Sequence, residues 1–216
     1  MLPLALGKAG APLRILCLAA HADDVEIGCG GALLRLLAER PGCEVDWVIF
    51  SAVPEREREA KASASDFLAG AGRSSVTVKG FRDSYLPYQG LEVKEFFEQL
   101  KASSTPDLIF APHRKDEHQD HRLVGELAWN TFRNHLIAEY EIAKYEGDLG
   151  APNLYVPLTA AQGRRKVELI LKHYRSQSSR SWFRAPMFEA VMNLRGLECN
   201  APEGLAEAFH CRKLVV

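Results

Sequence analysis

The chain lacks most of the features that sort proteins into large classes at a glance. Its 216 residues contain no long unbroken apolar run. The opening stretch MLPLALGKAGAPLRILCLAA has no basic leader, and Pro12 and Arg14 interrupt it. It reads as neither a signal peptide nor a membrane anchor. Neither sign of charge dominates: the net charge is -1, which asks for no nucleic acid and no anionic membrane. No basic amphipathic helix suggests docking on a bilayer. Cysteine is sparse, at Cys17, Cys29, Cys43, Cys199 and Cys211. The odd number, the wide spacing and the absence of a CxxC pair argue against a disulfide framework and against a cysteine zinc site. Cys17 sits in an apolar run, the setting of a small buried thiol. There is no internal repeat, no low-complexity tract and no clear linker. What remains is 47% apolar and 25% charged, the composition of an ordinary globular protein. The expectation is one domain over residues 1–216, with 1–12 a loose lead-in, in the cytoplasm.

Apolar runs alternate with helical patterns. Residues 14–20 (RILCLAA) form a continuous apolar run, as in a strand buried on both faces. The pattern predicts further strands over 44–51, 76–81, 107–111 and 139–145, and a strand-like end over 209–216. Helices are predicted over 32–39, 55–68, 91–102, 121–135, 164–173 and 188–197. Such alternation implies an α/β, Rossmann-like three-layer fold with a mostly parallel sheet. Ligands of such sheets sit at the carboxyl ends of the strands.

Two polar clusters fall at such ends. The first strand runs into His21, Asp23 and Asp24 within LAAHADDVEIGCGG. Charged groups there need partners, and a divalent cation is a strong one. A solvated loop with an Asp-capped helix accounts for the same residues. A dinucleotide site does not, because Gly28, Gly30 and Gly31 give GxGG rather than GxGxxG. The second cluster follows the strand at 107–111 and holds His113, Asp116, His118, Asp120 and His121. Three of the seven histidines fall within nine residues. Mixed imidazole and carboxylate donors without thiolate suit zinc, and also ferrous iron, manganese or cobalt. His21, Asp24 and one histidine of the second cluster make a His₂Asp set, which leaves an open position for water. Such a metal acidifies water and polarises a carbonyl. A carboxylate takes the proton and a histidine steadies the oxyanion. This is equipment for hydrolysing an amide or an ester.

With these residues in place, the chain resembles the PIG-L/LmbE family of zinc de-N-acetylases. AHADDVEIGCGG is similar to that family's [PA]HPDD strand end and Gly-rich turn, and HRKDEHQDH (113–121) is similar to its HxxDxHxDH motif. PNLYV (152–156), HYRSQ (173–177) and AEAF (206–209) resemble later blocks. The resemblance implies His21, Asp24 and His121 as zinc ligands and Asp23 as the base that later protonates the leaving amine. It implies that His118 stabilises the tetrahedral intermediate and that Asp120 orients it or a neighbouring histidine. Arg56 and Glu59 resemble an Arg-x-x-Glu pair near the substrate, a role into which Arg58 can slide. Ala22 stands where the family has proline and Gln119 where many members do, so the first turn is expected to be slightly looser.

The implied activity is removal of acetyl from an N-acetylglucosamine-containing small molecule or glycoconjugate, with zinc as cofactor or iron in its place. No nucleic acid or membrane insertion enters, and a homo-oligomer is in keeping with the family. The alternatives are a metal-dependent amidase or esterase on a non-sugar substrate, and a binding protein without catalysis. Residues 81–90 (FRDSYLPYQG), Tyr174, Ser176 and Gln177 are available to line a sugar pocket, although loop and core packing uses the same residue types. Trp182, Phe183 and Phe188 are read as an apolar lip or a subunit contact.

Overall fold

The alternation of buried side chains along the first strand shows how the sheet is covered. In the computed structural model, which describes residues 6–8 and 11–215, Ile15, Cys17 and Ala19 point to one face and Leu16, Leu18 and Ala20 to the other. The first set packs against α1 (Asp24–Glu39), α2 (Pro54–Phe67), α5 (Ala160–His173) and α6 (Ala185–Cys199). The second packs against α3 (Gly90–Ser103) and α4 (Gln119–Thr131). Phe50, Phe97, Phe110 and Trp47 are among the largest fully buried side chains, each contributing about 1.5–3 kcal/mol by leaving water.

The strands are β1 (Arg14–Ala19), β2 (Glu44–Ile49), β3 (Arg73–Val78), β4 (Leu108–Pro112), β5 (Leu136–Tyr140), β6 (Leu154–Leu158) and β7 (Leu205–Cys211). They form one seven-stranded sheet in the order β3-β2-β1-β4-β5-β7-β6. β1 to β5 are parallel, and β7 runs antiparallel to both β5 and β6. β1 and β4 are neighbours, with Ile15 opposite Leu108 and Cys17 opposite Phe110. From there the chain departs to opposite faces, into α1 after β1 and into α4 after β4. This is the switch point of the sheet, where a crevice opens beyond the strand ends.

Several boundaries differ from the sequence expectation. α1 begins at Asp24, not at residue 32, and takes the glycines into its body. Glycine weakens a helix, but a side chain at Gly28 would collide with the Tyr140 ring. Small size here lets the helix settle onto the sheet. A Cβ at Gly125 would lie 2.5 Å from the Pro112 carbonyl oxygen, so the same device seats α4 on the end of β4. β6 has no counterpart in the expectation; it is an edge strand carrying Pro157. β3 begins and ends three residues earlier than expected, α4 stops at Thr131, and the fifth strand is Leu136–Tyr140. The last strand is Leu205–Cys211, and residue 216 of the expected end lies outside the described residues, as do 1–5, 9 and 10 of the lead-in. Among the described residues no helix is long and apolar enough to cross a membrane.

Candidate metal centre and catalytic site

Both clusters converge in the crevice between β1 and β4. His21 follows β1, Asp24 opens α1, and His121 lies in the first turn of α4. His21 Nδ1 is 3.1 Å from His121 Nε2. Asp24 spans them, with one oxygen 3.3 Å from His121 Nε2 and the other 3.7 Å from His21 Nδ1. The same carboxylate accepts the His21 backbone N–H at 2.7 Å, which ties the turn together. His118 joins the group, its ligand atom lying within 4.8 Å of those of His21 and His121.

The outward nitrogens are engaged too. His21 Nε2 lies 3.2 Å from Asp120 and 3.3 Å from Asp83. His121 Nδ1 lies 2.9 Å from Asp116, which Lys144 holds at 2.9 Å. A ring nitrogen held on one side by a carboxylate presents the other in a set tautomer and orientation. Asp120 is fully buried and accepts the backbone N–H groups of Ser84 at 2.8 Å and Leu86 at 3.1 Å. Its own N–H donates to His118 Nδ1 at 3.2 Å, so His118 caps α4 and its Nε2 stays free.

Two nitrogens facing each other at 3.1 Å cannot both carry a proton along the line between them. Burial works against charge on both rings. On His21 the hydrogen bonds it donates to Asp120, Asp24 and Asp83 overcome it and raise the imidazole well above its ordinary value. On His121, Asp24 and Asp116 push it up to about 9. Burial would raise Asp24, but the two histidines carry it well below the carboxylate range. His118 is held below its ordinary value by burial and by the charge of the other two rings. The cluster draws positive charge to one point between two imidazoles and a carboxylate. A divalent cation supplies that charge without the clash of protons, so the donors fit one.

Asp23 stands beside this group, and Arg56 Nη2 reaches it at 2.5 Å. Arg58 is exposed, and Arg56 is the one of the two arginines that meets Asp23. Arg56 Nε and Nη2 are buried with no hydrogen-bond acceptor in good geometry. Glu59 accepts the N–H and hydroxyl of Ser176 at 2.8 and 2.6 Å.

Three further expectations change. His113, open as a ligand on sequence grounds, lies aside: its Nδ1 meets Glu139 at 2.5 Å and its ring stacks on His210. Tyr174 is buried rather than pocket-lining, its hydroxyl between the Ala22 carbonyl and Glu26. It pins the turn that lacks proline, and burial pushes Glu26 up to about 8. Phe183 and Phe188 are in the core, not at a lip. Asp83 was missed as a contributor in its own right: it is one acid in a loop, and no local pattern points it at His21.

Residues 16–132 match the PIG-L family, described as GlcNAc-PI de-N-acetylase. Solved structures share the fold at low identity. One is N,N'-diacetylchitobiose deacetylase from Pyrococcus horikoshii, with 24% identity, a TM-score of 0.71, and 95% of this chain and 84% of that one covered. Another is a zinc-inhibited form of teicoplanin deacetylase, with 14% identity, a TM-score of 0.71 and coverage of 92% and 97%. A third is GalB, the 4-carboxy-2-hydroxymuconate hydratase of Pseudomonas putida KT2440, with 16% identity, a TM-score of 0.74 and coverage of 94% and 98%. The last carries another chemistry on the same frame, so the fold alone does not choose the reaction. The family match spans more than half of the chain and contains both polar clusters, and by it the chain belongs to the PIG-L family of N-deacetylases, hydrolases that cleave an amide C–N bond.

Proposed function

We propose that the protein is a zinc-dependent deacetylase of an N-acetylglucosamine-containing small molecule or glycoconjugate, built as one catalytic unit over the whole chain. The observation that carries this reading is the convergence of His21, Asp24 and His121, with Asp23 held alongside by Arg56. His21 through Nδ1, His121 through Nε2 and Asp24 would hold the metal; ferrous iron suits the same donors. Zinc bound there supplies a Lewis acid and acidifies a water. Asp23 takes the proton of the attacking water and returns it to the departing nitrogen. Arg56 keeps the Asp23 carboxylate aimed through both events. His118 donates from its free Nε2 to the developing oxyanion, its ring fixed by the Asp120 N–H. Asp120 and Asp116 act as positioning residues, each turning one ligand ring. The five free, buried cysteines support a reducing compartment such as the cytoplasm.

The test combines metal analysis with acetate release over a panel of N-acetylglucosamine conjugates. Stoichiometric zinc and release from at least one conjugate are expected. Bound metal with silence on every conjugate, and turnover of simple acyl amides, would move the assignment to a non-sugar amidase.

A further inference from the structure

The loop after β3 carries side chains that this chemistry does not use. Tyr85 lies between Ser84 and Leu86, and the backbone N–H groups of both neighbours donate to Asp120, at 2.8 and 3.1 Å. Asp120 in turn touches His21. Gln119 adds a hydrogen bond to the Ser84 carbonyl at 3.1 Å, and Asp83 faces His21 at 3.3 Å. Ser84 has a φ of 65°, a left-handed conformation that costs a non-glycine residue energy. The tyrosine is thus fixed beside the crevice by ties on both sides.

Its ring is layered. The Arg82 guanidinium lies 3.7 Å over one face of Tyr85, and the Tyr88 ring is 5.8 Å away at 53°. Tyr88 is 82% exposed and Tyr85 41%. An exposed aromatic pair on the loop that reaches Asp120 and His21 has the character of a binding surface. Tyrosine offers large contact area at small entropic cost, and its face suits the apolar C–H face of a sugar or another flat ring.

Resting on the deacetylase reading, we propose that Tyr85 and Tyr88 form an outer subsite that stacks on a ring attached to the acetylated sugar. The preferred substrate is then a glycoside, with a second pyranose or an aromatic group, rather than free N-acetylglucosamine. Arg82 holds the Tyr85 ring in place.

Acetate release from N-acetylglucosamine, N,N'-diacetylchitobiose and 4-nitrophenyl N-acetylglucosaminide tests this. The wild type should prefer the glycosides. In Tyr88→Ala and Tyr85→Ala the ratio of kcat/KM for glycoside over free sugar should fall about tenfold, through KM. Tyr85→Phe should restore the ratio, and the glycoside that loses more identifies the ring. An unchanged ratio in both alanine variants overturns the proposal. So does a fall in oligomeric mass on light scattering that accompanies the loss, which would make the patch a contact between copies. Release from none of the three sugars counts against the proposed N-acetylglucosamine substrate rather than against the subsite. Calorimetric titration with 4-nitrophenyl glucosaminide then still decides the subsite: binding lost in Tyr88→Ala supports it, and equal binding ends it.

Discussion

Lys166 and Glu207 lie as deep in the protein as Asp24 and His121, and the two groups of charge have opposite characters. Lys166 Nζ donates to Glu207 at 2.6 Å and to the Ile27 carbonyl at 2.7 Å. Glu207 also accepts the N–H groups of Gly31 and Ala32 in α1, at 2.8 and 2.7 Å. Each charge meets its opposite and the backbone supplies the rest, so the pair is complete without a visitor. At the crevice, two imidazole nitrogens face each other and both lean on carboxylates. A cation from outside, as proposed, would complete that group. Burial of charge alone therefore does not mark a reactive centre; the mismatch of donors does.

The comparison can be broken in four places. The largest effect is expected at the crevice. Asp23→Asn should cut acetate release roughly 10²–10⁴-fold while metal analysis still finds the ion. Near-normal turnover in that variant would remove Asp23 from the proton transfer. Next comes the closed pair. Lys166→Met leaves the Glu207 carboxylate buried without its cation and should cost about 3–5 kcal/mol in denaturant unfolding. The double variant with Glu207→Leu should recover most of it. Metal content per folded molecule should stay constant in both, and its loss would mean that the two clusters are not independent.

Chelation should have a smaller effect. Metal at a hundredfold excess over its Kd stabilises by about 2.7 kcal/mol, so a chelator should lower the Tm of the wild type and leave that of His121→Ala in place. A Tm that responds equally in both would move the ligand role away from His121. The smallest effect belongs to an ion pair at the surface. Lys172 and His173 hold Asp66 down at about 2 by hydrogen bonds. A depressed carboxylate stabilises the fold above its ordinary value and loses that contribution as the pH falls toward the folded value. Asp66→Asn should therefore melt slightly below the wild type at pH 6, with the gap narrowing between pH 4 and about 2.5. A gap that widens with acid would reverse the sign of this interaction.

Much of the candidate site was legible because its residues are local. His21, Asp23 and Asp24 are nearly consecutive, as are His118, Asp120 and His121, and each set ends an apolar strand whose pattern is plain. What escaped was decided by tertiary contact. The start of α1 was hidden because glycine lowers helix propensity, and only the Tyr140 ring across the interface shows why glycine is there. β6 was hidden because an edge strand carrying Pro157 is half-exposed and short of the apolar run that marked β1. Asp83 and Lys144 are single charges in loops, and only folding brings them to His21 and Asp116. Arg56 was ambiguous with Arg58 until the orientation of α2 placed one inward and the other in solvent.

The facing nitrogens of His21 and His121 have a bearing on synthesis. They lie 100 positions apart in the chain, and β4 is laid against β1 only after β2, β3 and their helices have been made. Such long-range pairing forms late and slowly. A ribosome-bound fragment ending before β4 owns two of the three proposed donors and no means of closing the set. With the proposed metal in place, its retention would report that the centre of the sheet has been assembled, and a cell short of the ion would accumulate finished chains that lack this last clasp.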